Sequence, residues 1–178
     1  MKYTFYLLLA VVLFQSCSPR LTPLTDDLVR ENRWSEDQMR QIQFYLSENV
    51  TLSRQLGGSA TEITSGEIKV IDGRKVEQVV IAKGTPGIAL FSPKKELLAI
   101  SFEAGSDKRF LVFGPSPKMG GRYVLRAKEW NRRSGRVTYD EKLYRVDGRS
   151  AYATLMVDLK KISRTVLDSR KASGRTIK

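Results

Sequence analysis

The sequence contains no histidine and a single cysteine among its 178 residues. Without histidine there is no Ser-His-Asp or Cys-His nucleophile and no His-ligated zinc site. One cysteine cannot form a thiolate metal site or an intramolecular disulfide. The chain also lacks a Gly-x-Ser-x-Gly elbow, a Walker loop and a clustered set of metal ligands. We therefore expect a protein that is not an enzyme and that binds no cofactor and no metal.

The first 16 residues have the build of a secretory signal peptide. Lys2 supplies a positive charge, and the run from Tyr3 to Phe14 contains one polar residue, Thr4. This apolar run is shorter than the ~20 residues that a membrane-spanning helix needs. We therefore predict a signal peptide over residues 1–16 rather than a transmembrane anchor.

The only cysteine follows directly on the small Ser16, and this junction resembles the lipobox of bacterial lipoproteins. Phe14 and Gln15 stand where leucine and a small residue are commoner, a relaxed form typical of Bacteroidota. The resemblance implies that Cys17 carries a diacylglycerol and an N-acyl chain such as palmitate, which together hold a protein firmly on a membrane. Ser18 in place of aspartate implies the outer membrane, and the absence of an acidic cluster after Cys17 implies its periplasmic side.

A helix start is visible around Ser35. Ser35 with Gln38 forms a capping box, and Trp34 and Met39 occupy the two positions of a hydrophobic staple. Apolar residues then continue at helical spacing, which predicts one amphipathic helix from Glu36 to Leu46.

From Val50 onward the apolar pattern alternates, and Asp72-Gly73 predicts a tight hairpin turn between two such runs. About 8–10 short strands with Gly and Pro punctuation indicate a mainly β fold, a small antiparallel β-sandwich or barrel. Residues 151–163 fit a closing strand or a helix, and we prefer the strand. The predicted segments are the signal peptide (1–16), the lipidated cysteine and linker (17–25), an N-terminal helical segment (26–49), a β domain (50–163) and a basic, disordered tail (164–178).

The formal charge of +12 is unevenly distributed along the chain. Residues 18–103 contain 11 basic and 12 acidic side chains, whereas residues 104–178 contain 19 basic and 7 acidic ones. Such asymmetry suggests an interaction with a polyanion or an acidic partner.

One basic cluster stands on a predicted strand and the loop after it, and a solvated sheet face and an anion-binding surface are both open interpretations. In a strand, Arg122, Arg126 and Lys128 would project from one face. The candidate anion- or partner-binding residues are Arg122, Arg126, Lys128, Trp130, Arg132, Arg133 and Arg136.

The mature domain also resembles short lipoproteins of Bacteroidota through three motifs, Trp-Ser-Glu-Asp, Lys-Gly-Thr-Pro-Gly and Tyr-Ala-Thr-Leu-Met-Val-Asp-Leu. The resemblance implies no activity. We expect a lipid-anchored periplasmic binding or assembly module whose basic C-terminal half docks an acidic envelope protein or a polyanion such as lipopolysaccharide or peptidoglycan, with no nucleic-acid partner. The alternatives are a small barrel that binds a lipid or apolar ligand, and a tether linked to peptidoglycan through the terminal Lys178, as in Braun-type lipoproteins.

Overall fold

The computed structural model describes residues 20–57, 66–71, 74–131 and 133–162. Within them the chain forms twelve strands in two antiparallel sheets that face each other like a sandwich and do not close into a barrel. The predicted mainly β fold is confirmed, with more strands than expected, and the helix that begins at Glu36 is shorter than predicted.

Two short helices lie near the start of the described chain, α1 (Asp26–Asn32) and α2 (Glu36–Arg40). Two 3₁₀ helices span Pro117–Met119 and Gly148–Tyr152. The strands are β1 (Thr22–Pro23), β2 (Gln43–Leu46), β3 (Val50–Gln55), β4 (Glu67–Ile71), β5 (Arg74–Ile81), β6 (Pro86–Phe91), β7 (Leu98–Ser101), β8 (Leu111–Ser116), β9 (Arg122–Leu125), β10 (Ser134–Tyr139), β11 (Lys142–Asp147) and β12 (Leu155–Val157).

The seven-stranded sheet has the order β1-β12-β2-β6-β7-β8-β9, and the five-stranded sheet has the order β10-β11-β3-β5-β4. The last strand of the described chain, β12, therefore lies between the first two. Large apolar side chains fill the space between the sheets, as expected for a close-packed core. The five largest of the fully buried side chains are Tyr123, Tyr139, Tyr144, Phe44 and Phe113.

Both helix starts follow from their caps. The Thr25 hydroxyl accepts a hydrogen bond from the Leu28 N–H at 3.1 Å, and acidic residues occupy the first turn of α1. Ser35 and Gln38 form the predicted capping box at the start of α2, each side chain accepting from the other residue's backbone N–H.

The predicted helix from Glu36 to Leu46 is wrong beyond Arg40, because the chain turns there and enters β2. Phe44 and Leu46 are buried while the residues between and before them are less so, which is strand periodicity. β2 pairs with β6 on one side and β12 on the other. These long-range pairings override a local pattern that also fitted a helix.

The predicted hairpin around Asp72-Gly73 is confirmed by the pairing of β4 with β5, although those two residues themselves lie outside the described chain. The closing strand is shorter than expected. β12 covers three residues, and a helical turn begins at Leu159, where the Asp158 carboxylate accepts from the Lys160 N–H at 3.1 Å.

The buried tyrosines predict a loss of stability at high pH. Burial raises the pKa of Tyr123 to about 12, with a smaller contribution from the carboxylates of Asp26 and Glu96, and burial also raises the pKa of Tyr139 and Tyr144. In the unfolded chain these tyrosines lose their protons at pH ~10. Their contribution to the free energy of unfolding is therefore intact below that pH and is lost as the pH rises towards their pKa values in the folded protein.

We expect the free energy of unfolding to fall by about 1.4 kcal/mol per pH unit for each such tyrosine above pH ~10. Urea denaturation at several pH values measures this slope. Tyr123→Phe should make this slope shallower by the contribution of one proton, about 1.4 kcal/mol per pH unit. An unchanged slope in that variant would show that Tyr123 does not contribute to it.

Candidate functional site

The basic strand predicted from the sequence does not present one charged face. Tyr123, Val124 and Leu125 are all buried, and β9 ends at Leu125. The chain then leaves the seven-stranded sheet, and Lys128 pairs with Arg136 of β10 in the five-stranded sheet. The expectation that Arg122, Arg126 and Lys128 share a face is therefore wrong, because the strand that would align them is interrupted.

Arg126 is exposed but its guanidinium has a partner. Its Nη2 donates to the Pro115 carbonyl at 2.7 Å, and its side chain lies over Gly114, where an added Cβ would sit 3.0 Å from Arg126 Nε. Gly114 and Pro115 belong to β8, the neighbour of β9. Arg126 thus joins the end of β9 to β8, and we assign it to the structure of that edge.

Trp130 is half-buried and packs against the core, so its ring is not a free docking anchor. The indole lies against Gly135, where an added Cβ would come within 2.8 Å of Trp130 Cε3. This close approach explains the glycine at that position of β10. The neighbouring Arg133 is exposed, and its carbonyl accepts from the Gly148 N–H at 2.8 Å.

Three cations stand side by side at the edge of the five-stranded sheet. The backbone N–H groups of Lys128 and Arg136 each donate to the other residue's carbonyl, at 2.8 and 2.9 Å, and Arg136 lies directly opposite Arg145 of β11. Residues directly opposite on neighbouring antiparallel strands project from the same face. All three side chains are exposed. We call Lys128, Arg136 and Arg145 the basic row.

The charge of the basic row is only partly balanced. Arg136 forms an ion pair with Glu129 at 3.2 Å, whereas Lys128 and Arg145 form none with any residue that the structure describes. Like charges directly opposite each other destabilise a sheet, and an exposed ion pair contributes only about 0–1 kcal/mol in return. Two of the sequence candidates, Lys128 and Arg136, therefore meet here, and they are joined by Arg145, which the sequence analysis did not name.

The surface next to the basic row is polar and shallow. Ser53 of β3 lies opposite Arg145, and Gln78 of β5 lies opposite Ser53. Uncharged hydrogen-bonding side chains therefore stand in line with the basic row on the next two strands. A depression of about 640 Å³ lies here, with Arg136, Arg145, Ser53 and Asn131 among its lining residues.

A second, larger groove of about 1010 Å³ lies at the start of the described chain, and we call it the end groove. It places Arg122 with Lys83 and Arg149, which the sequence separates widely. Arg122 therefore belongs to a different surface from the basic row.

A charged pair also lies inside the sandwich. Glu77 is fully buried, and its Oε2 accepts from Arg54 Nε at 3.0 Å and from Nη2 at 2.5 Å. The Arg54 guanidinium lies 5.7 Å from the centre of the Tyr144 ring. Burial is the largest cause of the raised pKa of Tyr144, and the Glu77 carboxylate adds to it. We assign this cluster to stability.

Three of the predicted site residues, Cys17, Arg132 and Lys178, lie outside the described chain, as does the tail (164–178). Among the described residues, no group of three or more His, Cys, Asp or Glu side chains could hold a metal ion. No helix in that same part of the chain is long and apolar enough to cross a membrane.

Comparisons of the chain with protein-family models, with curated proteins and with solved structures found no match. The function of the basic row is therefore inferred from its own geometry.

Proposed function

We propose that the protein is a non-enzymatic, lipid-anchored module of the cell envelope that docks an acidic protein or a polyanion on the basic row. The observation that carries this proposal is the register of the row. Lys128, Arg136 and Arg145 stand directly opposite one another on three neighbouring segments, with Glu129 as the single ion-pair partner among the described residues. Folding alone does not favour this arrangement, because like charges in register destabilise a sheet.

The lipobox-like junction at Cys17 supports the periplasmic leaflet of the outer membrane as the location. Peptidoglycan carboxylates and acidic protein surfaces occur on that side of the membrane, and lipopolysaccharide phosphates cross the periplasm on their way to the outer leaflet. Each would complement the basic row electrostatically. Electrostatic complementarity mainly contributes specificity and association rate, so binding should depend strongly on salt.

The two alternative functions have less support. A barrel that binds an apolar ligand needs internal space, whereas large side chains such as Phe44, Phe113 and Tyr123 fill the region between these sheets. A tether through Lys178 would use a residue outside the described chain. Muramidase digestion followed by mass spectrometry tests that tether, which requires a muropeptide linked to Lys178.

The proposed function predicts that the variant Lys128→Gln, Arg136→Gln, Arg145→Gln loses its anionic partner. A Lys or Arg near an anionic surface is worth about 1 kcal/mol, so removing three should weaken binding about a hundredfold. Retention on immobilised lipopolysaccharide and on peptidoglycan sacculi, measured over a salt series, tests the polyanions. Cross-linking in the native envelope tests an acidic protein.

The control removes three exposed cations elsewhere, Arg40, Lys94 and Lys95, and keeps the net charge equal to that of the row variant. If the two variants retain the same partners with the same salt dependence, the proposal is wrong.

Arg145→Glu separates binding from stability. Glutamate opposite Arg136 replaces a repulsive pair with an attractive one, which should raise the free energy of unfolding by about 0.2–1 kcal/mol. The same substitution changes the charge of the row by two and should weaken binding to the anionic partner about thirtyfold. A variant that is both less stable and binding-competent would contradict the proposed role of the row.

A further inference from the structure

The end groove lies where the chain enters the fold. Leu21 and Pro23 form part of its wall, together with Met119, Met156 and Tyr152. A second depression of about 640 Å³ shares Pro23, Met119 and Arg122 with it. The two form one continuous surface with apolar side chains close to the first described residues.

Exposed cations surround this surface. Lys83, Arg122 and Arg149 line the end groove, and none of them forms an ion pair with a residue that the structure describes. The groove also contains Glu48 and Asp147. The Asp147 carboxylate already accepts a hydrogen bond from the Arg149 N–H at 2.7 Å. The three cations outnumber these two carboxylates and form no ion pair with them, so they are available to an external anion.

We propose that the surface around the end groove docks on the anionic phospholipid headgroups of the membrane that holds the lipid anchor. This inference rests on the proposed lipidation of Cys17. Leu21 is the fourth residue after Cys17, and an extended chain spans at most ~3.6 Å per residue, so this wall of the groove lies within about 14 Å of the anchored cysteine. The tether alone brings the groove near to the headgroups, and the cations determine which face of the domain meets them.

Tyr152 gives this surface the side chain expected at a membrane interface. It is 67% exposed, at the end of the 3₁₀ helix that also carries Arg149. A tyrosine ring is apolar along its body and polar at its hydroxyl, and such rings are enriched at the level of lipid headgroups. An exposed tyrosine beside exposed arginine and lysine side chains thus fits a lipid surface.

The experiment uses the full lipidated chain in vesicles of phosphatidylglycerol and phosphatidylcholine. Tyr152→Cys provides one site for a fluorophore, since the other cysteine, Cys17, is acylated. Lipids with a spin-labelled headgroup quench a fluorophore that lies at the membrane surface. The matched position is Val70→Cys on the edge strand β4, which is 71% exposed and does not line the end groove.

We expect quenching at residue 152 to be several times that at residue 70. Replacing Lys83, Arg122 and Arg149 by glutamine should lower the docking equilibrium about a hundredfold, because each cation near an anionic surface contributes about fivefold. Quenching at residue 152 should then fall to the level at residue 70. Replacing Lys69, Arg74 and Lys75, three exposed cations of β4 and β5, should leave it unchanged.

Equal quenching at the two positions, or quenching that persists after the groove cations are removed or in pure phosphatidylcholine, overturns the docking proposal. Mass spectrometry of the purified chain reports the anchor separately. An unmodified Cys17 refutes the lipid anchor and the docking together, whereas an acylated Cys17 with equal quenching refutes the docking alone. Loss of lipopolysaccharide binding in the basic-row variant supports the proposed function and is independent of both the lipid anchor and the docking of the end groove.

Discussion

Arg54→Ala should lower the free energy of unfolding by about 3–5 kcal/mol, the range measured when one partner of a buried ion pair is removed. The substitution leaves the Glu77 carboxylate without its guanidinium at a position with 0% exposure. The Arg54 side chain is itself 24% exposed, so we expect the lower end of this range. Urea denaturation followed by tryptophan fluorescence measures the change.

An exposed pair with the same contact distance provides the control. Arg30 Nη2 lies 2.5 Å from Asp27 Oδ1, as close as Arg54 Nη2 lies to Glu77 Oε2, but both side chains are mostly exposed. Arg30→Ala should lower the free energy of unfolding much less than Arg54→Ala does, because solvent screens an exposed pair. Equal costs for the two arginines would show that burial of Glu77 does not decide the effect. The double variant Arg54→Met, Glu77→Leu should recover most of the lost stability, because apolar pairs often replace buried ion pairs without loss.

Phe44→Ala should lower the free energy of unfolding by about 3–5 kcal/mol, since it removes a large, fully buried side chain and leaves a cavity. In β2 the side chains alternate between the core and the outside, so the neighbouring half-buried Tyr45 should be much less sensitive. Tyr45→Ala is therefore the matched control, and the same denaturation experiment measures both. Equal costs at residues 44 and 45 would contradict the alternation.

The sequence that forms β2 fits both a helix and a strand. Met39, Ile42 and Leu46 fit a helical face, whereas Ile42, Phe44 and Leu46 fit alternate positions of a strand. Pairing with β12, which lies more than a hundred residues later in the chain, stabilises the strand rather than the helix. Local signals such as the Ser35 cap were predicted correctly because everything they need lies within four residues.

In the basic row, too, one pairing could be predicted from the sequence and the other could not. Arg136 and Arg145 are equally distant from the two-residue turn Asp140-Glu141, whose residues have φ values of 50° and 61°. A primed turn of this kind fixes hairpin register, so their pairing was available from the sequence once the turn was recognised. The pairing of Lys128 was not available, because the crossing from one sheet to the other after Leu125 has no local signal.

The position of β12 has a consequence for the order in which the sheet can form. β12 pairs with β1 and with β2, so the seven-stranded sheet lacks its second strand, and β1 lacks its neighbour, until residues 155–157 have been made. Contacts between distant parts of a chain form slowly. A nascent chain therefore cannot complete this sheet for most of its synthesis. The sheet closes only when nearly all of the described chain has been made.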